Sequence, residues 1–121
     1  MAENKHRPTE LKLHKATKIL EVSFDDGKKF ELPCELLRVY SPSAEVQGHG
    51  PGQEVLQKGK ENVNIEGIEP VGSYAVCLRF DDGHDTGIYS WEFLYDLGLH
   101  RDKKWSTYLQ RLEAAGYKRK V

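Results

Sequence analysis

One six-residue pattern occurs twice in this chain, as Val22-Ser23-Phe24-Asp25-Asp26-Gly27 and as Leu78-Arg79-Phe80-Asp81-Asp82-Gly83. Each copy reads as an alternating strand entering a turn whose glycine tolerates positive φ, then a second strand and a helix start, which is the signature of a β-hairpin. The copies continue as Lys28-Lys29-Phe30-Glu31-Leu32 and His84-Asp85-Thr86-Gly87-Ile88. Duplicated strand-turn-strand-helix units predict an α+β fold: a mostly antiparallel sheet from two β-hairpin–helix units, with a C-terminal helix packed on it. After the glycine one copy carries Lys28 and the other His84, so any chemistry is expected around the second hairpin.

A length of 121 residues fits one core. With 38% hydrophobic and 31% charged residues and a formal charge of −1, the surface has no dominant field, which argues against nucleic acid or an anionic membrane as partners. No apolar run reaches the roughly 20 residues that span a bilayer, and the first residues lack a hydrophobic signal segment, so a cytoplasmic location is expected. Cys34 and Cys77 then read as reduced thiols packed as small hydrophobes.

Along the chain, residues 1–9 read as a flexible tail, 10–117 as one domain and 118–121 as a solvated charged tail. Leu11–Leu13 suggests a short strand. Pro33 stops the second strand of the first hairpin, and a helix from Cys34 turns Leu36, Leu37 and Tyr40 inward. Ser43 is placed to cap a brief continuation over Ala44-Glu45-Val46. From Gln47 to Lys60, glycine and proline punctuate an exposed loop. Val63, Ile65 and Ile68 suggest a strand kinked at Gly67 and Pro70, and Tyr74, Val76 and Leu78 alternate into the second hairpin. Ser90 is a helix N-cap with Glu92 in the first turn and Trp91, Phe93, Leu94 and Leu97 on the buried face. Asp102 is expected to cap the last helix, with Trp105, Tyr108, Leu109 and Leu112 at helical spacing and Gly116 as its stop.

His84 sits among Asp81, Asp82 and Asp85, carboxylates that can orient an imidazole but equally suit an acidic turn. His49 lies in the loop. His49 and His84 could offer two imidazoles to one iron or zinc ion, helped by Asp82 or Asp85, although nothing in their spacing demands it. Cys34, His49, Cys77, His84 and His100 are all isolated. Arg38 and Glu45, polar beside apolar helix positions, fit an intramolecular salt bridge as well as a partner contact. The chain has no Cys-x-x-Cys, Walker motif, dinucleotide fingerprint or nucleophile elbow. An enzyme using His84 as base would need a concave pocket around it.

Three segments carry a family resemblance: Leu37-Arg38-Val39-Tyr40-Ser41-Pro42-Ser43-Ala44-Glu45, then Gly48-His49, then Asp82-Gly83-His84-Asp85-Thr86-Gly87-Ile88-Tyr89-Ser90-Trp91-Glu92-Phe93-Leu94. Over about residues 15–117 the chain resembles the gamma-butyrobetaine hydroxylase-like N-terminal domain family, of the DUF971 type. In the carnitine-pathway dioxygenases of that resemblance, the domain precedes an iron and 2-oxoglutarate oxygenase domain and holds a structural zinc through three cysteines and a histidine. His84 matches the histidine, but Ser41, Ser43 and Val46 stand where those proteins place cysteines, so the zinc is not implied here. Oxygenase activity does not carry over either, because the catalytic domain is not in this sequence. Related domains are fused to P-loop ATPases that carry iron–sulfur clusters. The resemblance therefore implies a non-catalytic accessory or protein-interaction module near iron or iron–sulfur metabolism, with an iron–sulfur carrier ATPase or an oxygenase as partner. Its working face is expected around Arg38, Ser41, Ser43, Glu45, His49, His84, Asp85 and Trp91, and the alternative is a metal-binding protein using His49 and His84.

Overall fold

The computed structural model describes residues 6–47 and 55–120. Strands β1 (Pro8–His14), β2 (Ile19–Phe24) and β3 (Lys29–Pro33) form an antiparallel sheet in that order, followed by α1 (Cys34–Val39) and α2 (Ala44–Gln47). Strands β4 (Ile65–Val71), β5 (Ala75–Phe80) and β6 (Ile88–Ser90) form a second antiparallel sheet, followed by α3 (Trp91–Leu99) and α4 (Arg101–Ala114). The fold is α+β and built from two like units, with the strands divided between two three-stranded sheets.

The sequence repeat is a structural repeat in detail. Gly27 and Gly83 have φ of 88° and 90°. In each turn the glycine N–H donates to the phenylalanine carbonyl, and the phenylalanine N–H donates to the residue after the glycine, Lys28 or His84. This is a tight turn closed by a glycine bulge, for which a residue in the left-handed region is required. The match extends outward. Asp25 N–H donates to the Arg7 carbonyl and Asp81 N–H to that of Asn64, both at 2.9 Å, while each aspartate's carboxylate accepts the N–H of the same residue. Both first strands also carry a bulge at the equivalent place, opposite Phe24/Ser23 and Phe80/Arg79.

The central strands bury alternate residues, Leu20, Val22 and Phe24 in β2 and Val76, Leu78 and Phe80 in β5. These meet Leu36 and Leu37 of α1 and Leu94, Tyr95 and Leu97 of α3 in one shared core. The helices pack across units as well as within them, α3 against β3 in particular. Close approach there is permitted by Gly98, whose absent side chain leaves room for the Phe30 ring. A smaller cluster of Val39, Tyr108 and Leu112 seats α4 on α1.

Several boundaries differ from expectation. The N-terminal tail ends before residue 9: Pro8 begins β1 at a sheet edge, where its missing N–H costs no ladder bond, and His6 stacks on Tyr95 at 3.5 Å. The last helix starts at Arg101 with His100 at its cap position, so Asp102 lies in the first turn and accepts from Arg101 Nε instead of capping. Tyr74 is exposed, and in α3 Tyr95 is more deeply buried than Trp91 or Phe93. The Ser90, Ser43 and Gly116 signals hold. Phe93 N–H donates to Ser90 Oγ, Glu45 N–H to Ser43 Oγ, and Gly116 (φ 74°) closes α4 with Tyr117 N–H on the Leu112 carbonyl and its own N–H on that of Glu113.

The C-terminal end is docked where a solvated tail was expected. Arg119 grips Glu35 of α1 with two hydrogen bonds, and its guanidinium lies 5.1 Å from the Trp105 ring. Glu35 is buried at 6% exposure and also accepts from Tyr108 Oη at 2.6 Å, which pushes the phenol up through burial and the adjacent carboxylate. The basic run Lys118-Arg119-Lys120 gave no sign of this partner 84 positions earlier in the chain. Removing one partner of a buried ion pair leaves the other uncompensated, so Arg119→Ala should lower unfolding free energy by about 3 kcal/mol in urea titration. Gly98→Ala should cost about 2 kcal/mol by forcing a methyl into the Phe30 ring, whereas Gly83→Ala, whose methyl meets nothing within 4 Å, should cost only the backbone penalty of about 1 kcal/mol.

Candidate functional site

His84 occupies the first position after the second turn, where its N–H donates to Asp82 Oδ1 at 3.2 Å, as Lys28 N–H donates to Asp26 Oδ1 in the first copy. The side chain turns inward and is 5% exposed. Its Nε2 is 2.9 Å from Ser41 Oγ and its Nδ1 3.2 Å from Glu45 Oε2. A carboxylate only accepts, so Nδ1 carries the proton, and in the neutral ring Nε2 accepts the Ser41 hydroxyl.

A closed ring of bonds adjoins this chain. Glu45 N–H donates to Ser43 Oγ, the Ser43 hydroxyl to Thr86 Oγ1 at 2.7 Å, and the Thr86 hydroxyl to Glu45 Oε1. Ser41 Oγ also accepts from Ser43 N–H, and the Gln47 amide donates to the Ser41 carbonyl. Together these bonds fasten the segment from Ser41 through α2 onto the loop between β5 and β6.

Ser41, His84 and Glu45 are joined in the order nucleophile, base and carboxylate found in hydrolases. Ser41, however, is 0% exposed. A hydroxyl sealed from solvent on all sides meets no substrate, and the cavity bounded by Val39, Val46 and Tyr108 does not reach His84.

Arg38 of α1 crosses to the second unit and binds Asp82 Oδ2 through Nε at 2.9 Å; Lys60 Nζ binds the same oxygen at 2.6 Å. Burial opposes the charge on Asp82, but Lys60, the His84 amide and Arg38 outweigh it and hold the carboxyl at about 2. Arg38 is 7% exposed, and its Nη1 has no acceptor, leaving surplus positive potential inside the site. Burial, then the Arg38 charge, lower the pKa of His84 below the ordinary 6.5, against the pull of Glu45.

Arg38 thus forms an intramolecular salt bridge, with Asp82, while Glu45 accepts from the His84 ring. Asp85 is exposed, and its carbonyl accepts from the Cys77 thiol at 3.1 Å. Trp91 stands at the other end of the second sheet, its indole N–H on the Ser73 carbonyl, beyond the Ala75↔Ser90 pair and away from the Phe80–His84 turn. His49 lies outside the described residues. Thr86 and Lys60 were not singled out from the sequence. Thr86 had a signal, two residues after His84 and so on its side of the chain, whereas Lys60 had none.

As a metal centre the donors do not fit. Among the described residues no group of three or more His, Cys, Asp or Glu side chains could hold an ion. Both His84 nitrogens and both Asp82 oxygens are engaged, and hydroxyls of Ser41 and Ser43 are weak donors where soft thiolates would be needed. Cys34 is buried in the core with its thiol pushed up to about 11 by desolvation, and its Sγ faces Asn64.

Because the fold keeps His84 neutral, the site contributes stability above the ordinary histidine pKa and loses it as pH falls through the depressed folded value. The urea midpoint should therefore drop as pH falls below the ordinary histidine value, with a smaller drop in His84→Gln, which keeps one donor and one acceptor. Equal pH dependence in both proteins would show that the imidazole does not titrate against this network.

No curated protein matches the chain. Two NMR solution structures superpose with TM-scores of 0.82; one is 48% identical, covering 96% of this chain and 91% of that one, and the other 55% identical, covering 98% and 90%. A crystal structure of a protein of unknown function in the DUF971 family, from Acidithiobacillus ferrooxidans ATCC 23270, is 38% identical over 76% of this chain and 92% of its own, with a TM-score of 0.65. The family model for gamma-butyrobetaine hydroxylase-like, N-terminal matches residues 11–95, a stretch that holds both hairpins, α1, α2 and the His84 network. The chain belongs to the gamma-butyrobetaine hydroxylase-like N-terminal domain family.

Proposed function

We propose that the chain is a non-catalytic accessory domain that binds another protein through the edge formed by Glu45 on α2 and by Asp85 and Thr86 after the second turn. The observation that supports this reading is the complete burial of Ser41 beside a His84 whose two nitrogens are both engaged. The polar cluster is spent on holding α2 against the loop, and what it offers to solvent is the outer rim. There the Glu45 side chain is 63% exposed, and Asp85, next to its partner Thr86, is exposed as well. Arg38, Ser41, Ser43 and His84 act as the frame of that rim, not as its contact surface.

An acidic rim on a rigid frame suits a partner with a basic patch, since charge complementarity steers association and suppresses wrong partners. Through the family resemblance, the partner is an iron–sulfur carrier ATPase or an iron and 2-oxoglutarate oxygenase, and the role belongs to iron or iron–sulfur metabolism. Calorimetric titration of the purified chain against each of these proteins should give saturable binding to one. Asp85→Lys, which leaves the bonds of Glu45 to His84 and Thr86 in place, should weaken it about tenfold without moving the melting temperature. Failure to bind either protein, or undiminished binding by the charge-reversed chain, would remove the proposal.

A further inference from the structure

On the opposite side of α2 from Glu45, the next residue, Val46, is 3% exposed and lines a cavity of about 430 Å³ between α1, α2 and α4. The volume lies within the range of small-molecule sites, roughly 300–1,000 Å³. Its wall is apolar where Val39, Val46, Leu56 and Phe93 meet. Tyr40 adds a ring whose position is fixed, because its hydroxyl donates to the Lys104 carbonyl at 2.7 Å. At the rim, Val55 N–H donates to the Val46 carbonyl at 2.8 Å, and the Val55 side chain remains 53% exposed.

The charge at this cavity is one-sided. Lys104, Tyr108 and Arg111 follow one another at helical spacing on α4 and share its cavity face. Among the described residues no aspartate or glutamate lines the cavity, and neither Lys104 nor Arg111 forms an ion pair. Lys104 Nζ instead lies 5.2 Å from the Tyr40 ring centre. Two cations without a carboxylate, set over an apolar floor, leave a place for an anion that brings its own apolar body. A lone phosphate would leave the floor wet, and a neutral hydrocarbon would leave the cations unused.

We infer that this cavity binds a small monocarboxylate with an apolar body, its carboxylate held by Lys104 and Arg111 and its body against Val39, Val46 and Phe93. The site is separate from the acidic rim and does not depend on it. Three soluble probes share one body and differ in charge: 4-phenylbutyrate, its methyl ester and 4-phenylbutylamine. In a titration followed by NMR, 4-phenylbutyrate should shift the Val39, Val46 and Phe93 resonances saturably, with a Kd of about 1 mM or tighter. The ester and the amine should bind about tenfold more weakly or not at all. Lys104→Gln with Arg111→Gln should cost the acid a similar factor. Arg111 is exposed and Lys104 half-buried, and neither holds an ion pair among the described residues, so the melting temperature should shift little. Equal affinity for acid and ester, shifts confined to residues elsewhere, or recognition only of a peptide bearing a free C-terminal carboxylate would each overturn the inference.

Discussion

The fold is organised by an Asp-Asp-Gly turn in which both aspartates and the glycine hold specific partners. The glycine supplies the left-handed residue that closes the hairpin, and the first aspartate exchanges bonds with the residue that enters the first strand of its unit. The second aspartate holds the N–H of the residue after the glycine with one oxygen and reaches out with the other. Asp26 Oδ2 accepts from Tyr95, while Asp82 Oδ2 accepts from Arg38 and Lys60. Tyr95 is the fifth residue of α3 and Arg38 the fifth of α1, so each unit's helix caps the turn of the other unit. The hydrogen bond from Tyr95 lowers the Asp26 carboxyl and the same bond lifts the phenol to about 12, a mutual effect of one shared proton.

His84 gains its character from that exchange. Arg38 reaches Asp82 and in doing so brings positive charge beside the imidazole, and burial and that charge both favour the neutral ring. A neutral ring has one donor and one acceptor, and Glu45 and Ser41 match them in the only order that satisfies both. The first copy has Lys28 at the equivalent place, on the surface and with no α2 counterpart laid over it. One residue of difference after the glycine therefore separates a bare hairpin end from one that anchors a segment of chain.

Much of this was legible in the sequence because it depends on local rules. The two turns, the alternation of β2 and β5, the Ser43 and Ser90 caps and the Gly116 stop each follow from a few neighbouring residues. The resemblance located Ser41, Ser43, Glu45 and His84 near one another, and they are. What was not legible depends on distant partners. Asp82 looked available to a metal because nothing nearby in sequence announces Arg38 or Lys60, and Lys118-Arg119-Lys120 looked solvated because Glu35 lies 84 positions from Arg119. Trp91 was grouped with His84 by closeness in sequence, but β6 carries the chain the length of a strand between them.

The crossing of helix and turn between units also governs the order in which the molecule can be completed. As the chain is synthesised from its N-terminus, the first hairpin emerges with Asp26 lacking its phenol partner, and α1 emerges with the Arg38 guanidinium lacking its carboxylate. Neither is met until residues 82 and 95 have been made. The early half thus lacks two of its partners until the later half exists, and the two copies of the motif are completed only by trading parts.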